Sequence, residues 1–221
     1  MRIKTIANAR LLLTILFFFS GVAALLYQVC WQRLQFLTFG VDIESVTVIV
    51  MTFMFGLGLG SLVGGRVADR TRWSLISLFA LAECSIGLFG LFSSSLIAHA
   101  GLLFVDSPLW VMVLVNFALL LIPTMIMGAT LPVLVKHTIL LLREVAQARG
   151  RPDSGAEVGI STGELYFSNT LGAACGAFAA AFFLFSRITL GQTILIAAAI
   201  NIAVGVIAIT TLRRAQSEMR P

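Results

Sequence analysis

Charged residues are scarce in this chain, and their scarcity excludes most soluble functions. Only 11% of the 221 residues are Asp, Glu, Lys or Arg, whereas 59% are hydrophobic. A typical soluble domain has about 25% charged and about 45–50% apolar residues. The composition therefore excludes a soluble enzyme, a nucleic-acid-binding module and a disordered chain, and it predicts a protein whose main partner is the lipid bilayer.

Cysteine and histidine are also rare, and this limits the chemistry available to the chain. Cys30, Cys84 and Cys175 lie in or beside apolar segments without a CxxC pair, so we predict small buried hydrophobic residues rather than disulfide partners or metal ligands. His99 and His137 are predicted on opposite sides of the membrane and cannot share a metal ion or a haem. We therefore expect no metal, no cofactor and no catalytic residue.

What the sequence does contain is long apolar segments. Each is close to the about 20 residues that a helix needs to cross a bilayer, and together they predict an all-α six-helix bundle that occupies residues 1–221 as a single transmembrane domain. The helices are expected at about residues 11–37, 45–63, 73–97, 108–142, 161–185 and 188–212, with a cytoplasmic loop at about 143–160. The length of the first segment favours a retained signal anchor. Pro123 and Pro132 predict a kink in the fourth helix, because each removes a backbone donor.

The distribution of basic residues predicts the orientation. All Lys and Arg residues except Arg33 and Arg187 fall on one side of the predicted membrane, in the two terminal segments and in the loops after the second and fourth helices. By the positive-inside rule this side is cytoplasmic. We therefore expect a multi-pass protein of the bacterial cytoplasmic (inner) membrane, with its N- and C-termini in the cytoplasm.

Glycines recur every four positions on the second and fifth helices. They are Gly56, Gly60, Gly64, Gly172 and Gly176. Small residues at i and i+4 share one helix face and let two backbones approach closely. We favour packing within the chain, with a homodimer seam as the alternative. Because each glycine-bearing helix is the second of a three-helix half, and the halves enter the membrane from opposite sides, the pattern fits a 3+3 inverted repeat.

Four stretches on the first, second, fourth and fifth helices resemble one family. They are Leu26–Leu34 (LYQVCWQRL), Gly56–Arg70 (GLGLGSLVGGRVADR), Pro123–Pro132 (PTMIMGATLP) and Gly163–Gly172 (GELYFSNTLG). Together they resemble the membrane domain of bacterial membrane-bound spermidine-synthase-like proteins, in which a major-facilitator-like half is fused to an aminopropyltransferase. The resemblance implies a six-helix bundle similar to half of a major facilitator.

A basic motif after the second helix resembles the cytoplasmic loop motif of major facilitator transporters. The motif is Gly-x-x-x-Asp-Arg with further basic residues, and it comprises Gly65, Arg66, Asp69, Arg70 and Arg72. We expect the aspartate and the arginines to form a loop clamp. In transporters such a clamp is associated with conformational switching; the alternative is a simple staple between the second and third helices.

The same resemblance implies a part that these residues lack. Fused family members carry a soluble Rossmann-like domain with a glycine-rich loop for decarboxylated S-adenosylmethionine and an acidic catalytic residue. The 221 residues contain no Gly-x-Gly-x-x-Gly after a strand. Aminopropyl transfer is therefore not assigned to them, and we expect either a separate catalytic chain or a stand-alone membrane protein.

Polar residues deep in an apolar helix are costly and mark candidate functional positions. Glu83 lies about 15 Å into the third helix at about 1.5 Å per residue, near the middle of the membrane. It is either a proton-coupled or amine-binding carboxylate, or a structural acid that fixes helix packing. Asn116, Asn169 and Asn201 lie within the fourth, fifth and sixth helices, and we expect their amides to cross-link helices.

The first helix has a polar end made of Gln28, Gln32 and Arg33. The two glutamines share one helix face. We expect Arg33 to extend to the outer headgroups beside an aromatic belt. The alternative is an ion pair with Asp42 or Glu44 that closes an outer vestibule.

Two further spacings have local interpretations. Tyr27 and Trp31 lie at i and i+4, on the face next to the glutamines, and supply aromatic rings for the belt. Ser161 and Glu164 form a Ser-x-x-Glu pattern, which predicts a capping box at the start of the fifth helix. We prefer capping to an inward-facing functional role for this glutamate.

Three functions are compatible with the sequence. The first is a non-catalytic membrane anchor, binding or accessory subunit, whose partner is a separate soluble domain or a larger membrane assembly. The second is a half-size transporter for a small amine or ion that works as a homodimer, with Glu83 as the coupling acid. The third is the membrane part of a split aminopropyltransferase. None of them involves nucleic acid.

Overall fold

The computed structural model describes residues 2–39, 42–104, 106–148 and 156–212, and these residues are helical apart from short connections, with no strand. The main helices are α1 (Arg2–Phe39), α2 (Asp42–Arg70), α3 (Leu75–Phe104), α4 (Leu109–Ala148), α5 (Ala156–Ala179) and α6 (Leu190–Ile207). Two π-helical segments continue α5 and α6 and span Ala180–Leu184 and Ala208–Leu212. The all-α prediction is confirmed for this part of the chain.

Within the described residues, six helices are long and apolar enough to cross a bilayer. The candidate spans range from 23 residues at Leu190–Leu212 to 34 residues at Trp110–Arg143, and all exceed the about 20 residues that are needed. The six-span prediction is confirmed at this level. The chain is accordingly a multi-pass membrane protein.

The helices extend beyond the predicted apolar segments. α2 continues past residue 63 to Arg70, and α3 continues past residue 97 to Phe104. The predicted loop at 143–160 is shorter than expected, because α4 ends at Ala148 and α5 begins at Ala156. Hydropathy shows only where a helix leaves the apolar layer of the membrane. The backbone hydrogen bonds of the helix continue into the polar interface, so the helix ends several residues later.

α4 is 40 residues long and runs unbroken through Pro123 and Pro132. Each proline lacks the N–H that would bond to the carbonyl four residues earlier. Next to the first proline, Thr124 Oγ1 donates a hydrogen bond to the Leu120 carbonyl at 2.8 Å, so the stretch gains a side-chain hydrogen bond to its own backbone. The kink expected at these prolines stays a prediction.

Two glycine seams join the helices in pairs, α2 with α4 and α1 with α5. A Cβ added to Gly60 would lie 2.8 Å from the Met125 Cα, and a Cβ added to Gly172 would lie 2.8 Å from the Phe18 carbonyl carbon. Three further glycines of the two motifs are covered in the same way by a neighbouring helix: Gly56, Gly64 and Gly176. These glycine faces lie against a neighbouring helix of the same chain and are not free for a homodimer seam.

The core of the bundle consists of two apolar clusters separated by a polar layer. This layer contains Ser20, Glu83, Asn169 and Asn201. Along α1 the first cluster ends at Phe17 and the second begins at Ala23; along α3 the corresponding residues are Ala80 and Ile86. The first cluster combines the beginnings of α1, α3 and α5 with the ends of α2, α4 and α6. Consecutive helices therefore alternate in direction, and the two described ends of the chain lie on the same side of the bundle.

The cysteines differ in environment. All three are free thiols; Cys30 is buried, Cys84 is half-buried and Cys175 is exposed. The prediction of small buried residues is wrong for Cys175, because α5 turns that position away from the bundle. An apolar segment of a membrane helix contains both lipid-facing and bundle-facing positions, and hydropathy alone does not separate them.

Candidate functional site

The polar layer is centred on Glu83 of α3, which is fully buried at 0% exposure. Ser20 Oγ of α1 donates a hydrogen bond to Glu83 Oε1 at 2.6 Å, and Asn201 Nδ2 of α6 donates to Oε2 at 2.5 Å. An ionised carboxyl group is a pure acceptor, and the two donors match that form. Glu83 therefore joins three helices through its side chain.

The ion pairs that the described residues form do not include Glu83. Those pairs join Arg10 to Glu164 and Lys136 to Asp69. An isolated carboxylate is strongly disfavoured in an apolar environment. The charge of Glu83 is therefore removed by a proton or balanced by a cation that these residues do not supply. Its structural role is visible in its hydrogen bonds; its functional role stays a prediction.

The sequence pattern does not identify Ser20 as a partner of Glu83. It is 7% exposed and lies in the gap between the two apolar clusters. A lone serine in a membrane helix commonly bonds to its own backbone, so its identity indicates little. The available signal was its depth in the first helix, which is comparable to the depth expected for Glu83.

A cavity of about 200 Å³ lies next to this network. α1, α2, α4 and α5 form its walls, and Asn201 of α6 completes the lining together with Ser20 of α1. The cavity thus reaches both residues that hold the Glu83 carboxylate. Its other polar lining residues are Gln28, Ser61, Thr130, Tyr166 and Asn169.

Two of the predicted asparagines direct their amide N–H groups into the protein. Asn201 Nδ2 donates to Glu83, and in the described residues its Oδ1 is buried without a hydrogen-bond partner. Asn169 Nδ2 donates to the Phe17 carbonyl of α1 at 3.1 Å. Asn201 therefore links α6 to α3, and Asn169 links α5 to α1.

Asn116 does not form the expected link between helices. Its Nδ2 donates to the Met112 carbonyl, one turn earlier on α4, at 2.8 Å. Its Oδ1 has no partner among the described residues, and the residue does not line the cavity. An asparagine amide can donate to a carbonyl of its own helix instead of to a neighbouring helix.

Tyr27 and Trp31 are core residues rather than members of an interfacial belt. Both have 0% exposure, and their rings stack with centroids 4.8 Å apart. Trp31 Nε1 donates a hydrogen bond to Ser93 Oγ of α3 at 2.9 Å. The exposed tryptophans are instead Trp73 and Trp110, at 66% and 69% exposure; Trp73 lies just before the third span and Trp110 begins the fourth, as belt residues do.

Gln28, Gln32 and Arg33 do not form one site. Gln28 lines the cavity, whereas Gln32 is half-buried outside its lining. The guanidinium carbon of Arg33 lies 4.0 Å from the centre of the Phe185 ring, a cation–π contact that ties the end of α1 to the segment after α5. The alternative ion pair involves side chains outside the described residues: Asp42 and Glu44.

The predicted loop motif lies mostly on a helix, which corrects the expectation. Four of its residues belong to the last turns of α2 and the fifth lies in the connection to α3: Gly65, Arg66, Asp69, Arg70 and Arg72. Asp69 Oδ1 accepts a hydrogen bond from Lys136 Nζ of α4 at 2.8 Å, and the same Nζ donates to the Ala68 carbonyl at 3.0 Å. Lys136 thereby satisfies a carbonyl in the last turns of α2. The staple joins α2 to α4 rather than to α3.

Glu164 forms an ion pair with Arg10 of α1 and does not cap α5. Because α5 begins at Ala156, Ser161 and Glu164 lie inside the helix, where the backbone N–H groups already have carbonyl partners. The capping-box prediction is wrong for this reason. The ion pair instead joins the two helices of the α1–α5 glycine seam.

Among the described residues, no three His, Cys, Asp or Glu side chains lie together as a metal site requires. The polar side chains that line the cavity are hydroxyls and amides, which hold ligands by hydrogen bonds.

No model of a known protein family matches the chain, and no curated protein sequence or solved structure does either.

Proposed function

We propose that the chain is a membrane module of the spermidine-synthase-like type. In this role it is a non-catalytic multi-pass subunit that anchors or accompanies a partner protein. Its membrane is the bacterial cytoplasmic membrane, and both termini are in the cytoplasm. The observation that carries the proposal is the pairing of the helices, which matches the pairing expected of two three-helix repeats of opposite direction.

Exchange of the two halves converts the main helix pairs into observed pairs. If α1 corresponds to α4, α2 to α5 and α3 to α6, the glycine seam between α2 and α4 corresponds to the seam between α5 and α1. The contact of α1 with α6 corresponds to that of α4 with α3, and α3 packs directly on α6. This relationship is the one expected of an inverted repeat in half of a major facilitator, and it supports the resemblance drawn from the sequence.

The lining of the cavity supports a binding role rather than a catalytic one. Its polar groups are hydroxyls and amides, and the rest of the lining is apolar. Glu83 is separated from the cavity by Ser20 and Asn201, whose donors it accepts. Groups of this kind orient a ligand but do not form the pair of titratable groups that general acid–base chemistry uses.

Native mass spectrometry of the full chain, affinity-purified from its own membranes in a mild detergent, tests the subunit role. We expect a partner protein in fixed stoichiometry. An unrelated six-helix protein tagged and purified from the same membranes is the control for adventitious partners. A partner with aminopropyltransferase activity would identify the chain as the membrane part of a split enzyme. Release of the chain alone, or only as a homodimer, contradicts the subunit role.

A half-size transporter that works as a homodimer is the second candidate, and the contact between the cavity and the residues that hold Glu83 favours it. In proteoliposomes, Glu83→Gln should abolish uptake of a small amine, since it removes the buried charge. Glu164→Gln is the matched control, because it neutralises an acid of an exposed ion pair. Equal uptake by both variants and the wild type would remove Glu83 from a transport mechanism.

A further inference from the structure

We propose that the cavity between α1, α2, α4 and α5 binds a small primary alkylammonium ion. Its nitrogen is held by oxygens of Ser20, Asn169 and Asn201, close to the Glu83 carboxylate. This site goes beyond the proposed subunit role, and it does not depend on whether the bound ion crosses the membrane.

The polar side chains nearest to Glu83 offer acceptor oxygens, because the Ser20 hydroxyl proton and one N–H of each asparagine amide are already donated within the protein. The Ser20 hydroxyl and Asn201 Nδ2 donate to Glu83 at 2.6 and 2.5 Å. Asn169 Nδ2 donates to the Phe17 carbonyl at 3.1 Å. A hydroxyl oxygen that has donated its proton still accepts, and an amide oxygen only accepts. Such a set of oxygens favours a ligand with several N–H donors, and a primary ammonium group has three.

Asn201 Oδ1 is the clearest sign of a missing donor. Asn201 is 2% exposed, and within the described residues its Oδ1 accepts no hydrogen bond. Most buried polar side-chain atoms in native structures have a partner, and an unpaired one is costly. Asn201 also lines the cavity, and in the proposed site the ligand donates to this oxygen from there.

The carboxylate behind the lining favours a cation over a neutral donor. The acids that form ion pairs in the described residues are Asp69 and Glu164, so those pairs do not compensate Glu83 in its ionised form. Ser20 and Asn201 are polarised by the carboxylate to which they donate, and this strengthens the acceptor on the cavity side of each group. A cation there also gains the direct Coulomb attraction, which is large in a medium of low dielectric constant.

The size and the apolar part of the lining restrict the class of cation. A volume of about 200 Å³ is below the about 300–1,000 Å³ of pockets for drug-sized ligands, so the ligand must be small. The apolar lining includes Phe17, Leu25, Phe53, Leu57, Met127 and Leu131. These side chains would cover an alkyl chain, whereas a hydrated inorganic cation would place its water shell against apolar surface.

Equilibrium dialysis of the purified full chain in detergent with radiolabelled n-propylammonium tests the site. We expect saturable binding that unlabelled propylammonium displaces, while propan-1-ol and Na⁺ at the same concentration do not. Propan-1-ol matches the alkyl chain without the charge, and Na⁺ matches the charge without the alkyl chain. Equal displacement by either competitor, or no saturable binding, would overturn the proposal.

Variants of the lining locate the binding. Ser20→Ala and Asn201→Leu should each lower the affinity at least tenfold. Asn116→Leu is the matched control, because it removes a buried asparagine of another membrane helix that does not line the cavity. Affinity that is unchanged in Asn201→Leu and in Ser20→Ala contradicts the site.

A folding defect is distinguished from loss of the site by the elution profile and thermal unfolding of each variant. Ser20→Ala removes a single hydroxyl and keeps the test decisive if the larger substitution does not fold. Failure of binding leaves the mass-spectrometric test of the subunit role untouched, so the two ideas are overturned by different results.

Discussion

Replacement of Gly60 by alanine should destabilise the bundle, although alanine is the better helix former. The added Cβ would lie 2.8 Å from the Cα of Met125 on α4. Carbon atoms in contact are normally about 3.5–4.0 Å apart, and the atoms that Gly60 faces are backbone, which cannot rotate away. α2 and α4 must therefore separate by roughly 1 Å, as judged from that contact distance.

The size of the effect follows from this separation. A gap of about 0.5–1 Å removes a quarter to a half of the dispersion energy of each contact along the seam, and overpacking of this kind costs about 1–3 kcal/mol. Alanine returns about 0.5–1 kcal/mol through helix propensity. The net loss is at most about 2.5 kcal/mol, with a central value of about 1 kcal/mol. Gly58→Ala is the matched control, since its Cβ would meet no atom within 4 Å, and it should keep the gain alone.

Thermal unfolding in detergent, followed as the fraction that still elutes as folded protein after heating, measures the difference. Gly60→Ala should unfold a few degrees below the wild type, and Gly58→Ala at or above it. The same contrast is expected on α5 between Gly172→Ala and Gly163→Ala, because Gly163 also faces open space. If Gly60→Ala unfolds at or above the temperature of Gly58→Ala, the seam does not limit the approach of the helices and the reasoning is refuted.

Two further predictions address the core and the orientation. Trp31→Phe removes the 2.9 Å hydrogen bond to Ser93 and should lower the free energy of unfolding by about 1 kcal/mol, whereas Trp110→Phe, at an exposed position, should have little effect; equal unfolding temperatures would contradict the buried position of Trp31. In a cysteine-free background, a cysteine at Asp106 should react with a membrane-impermeant maleimide in intact cells, and one at Arg72 should react only after lysis. The opposite pattern would reverse the proposed orientation.

The six spans and the glycine seams could be predicted because each depends on a local property of the sequence. A membrane helix needs about 20 apolar residues in succession, and this is visible without knowledge of any neighbour. Gly60 and Gly172 belong to i, i+4 patterns that place small residues on one face. The sequence did not identify the partner helix, although it favoured a partner within the same chain.

The residues that fill the polar layer could be predicted only in part. Glu83, Asn169 and Asn201 stand out because polar side chains are rare in apolar helices. Ser20 and the partners of each amide depend on which helices meet and at what rotation, and hydropathy contains no information about rotation. The prediction that places Trp31 at the interface is wrong for the same reason, since the face it occupies is decided by its contact with α3.

The close contact between α3 and α6 explains how Asn201 of α6 comes within hydrogen-bonding distance of Glu83 on α3. Lipid tails are as apolar as leucine, so apolar area alone gives membrane helices little reason to choose one partner. α3 and α6 contribute one glycine each, and these lie on either side of the bond between Glu83 and Asn201. A Cβ at Gly87 would lie 3.0 Å from the Ala198 carbonyl oxygen, and a Cβ at Gly205 would lie 2.9 Å from that of Ala80. The two backbones therefore approach closely just above and below the carboxylate, and this approach allows a short asparagine side chain to reach across. Single glycines carry no spacing signal, so this third seam became visible only from the packing, and it makes the geometry of the candidate binding site depend on two residues that never touch the ligand.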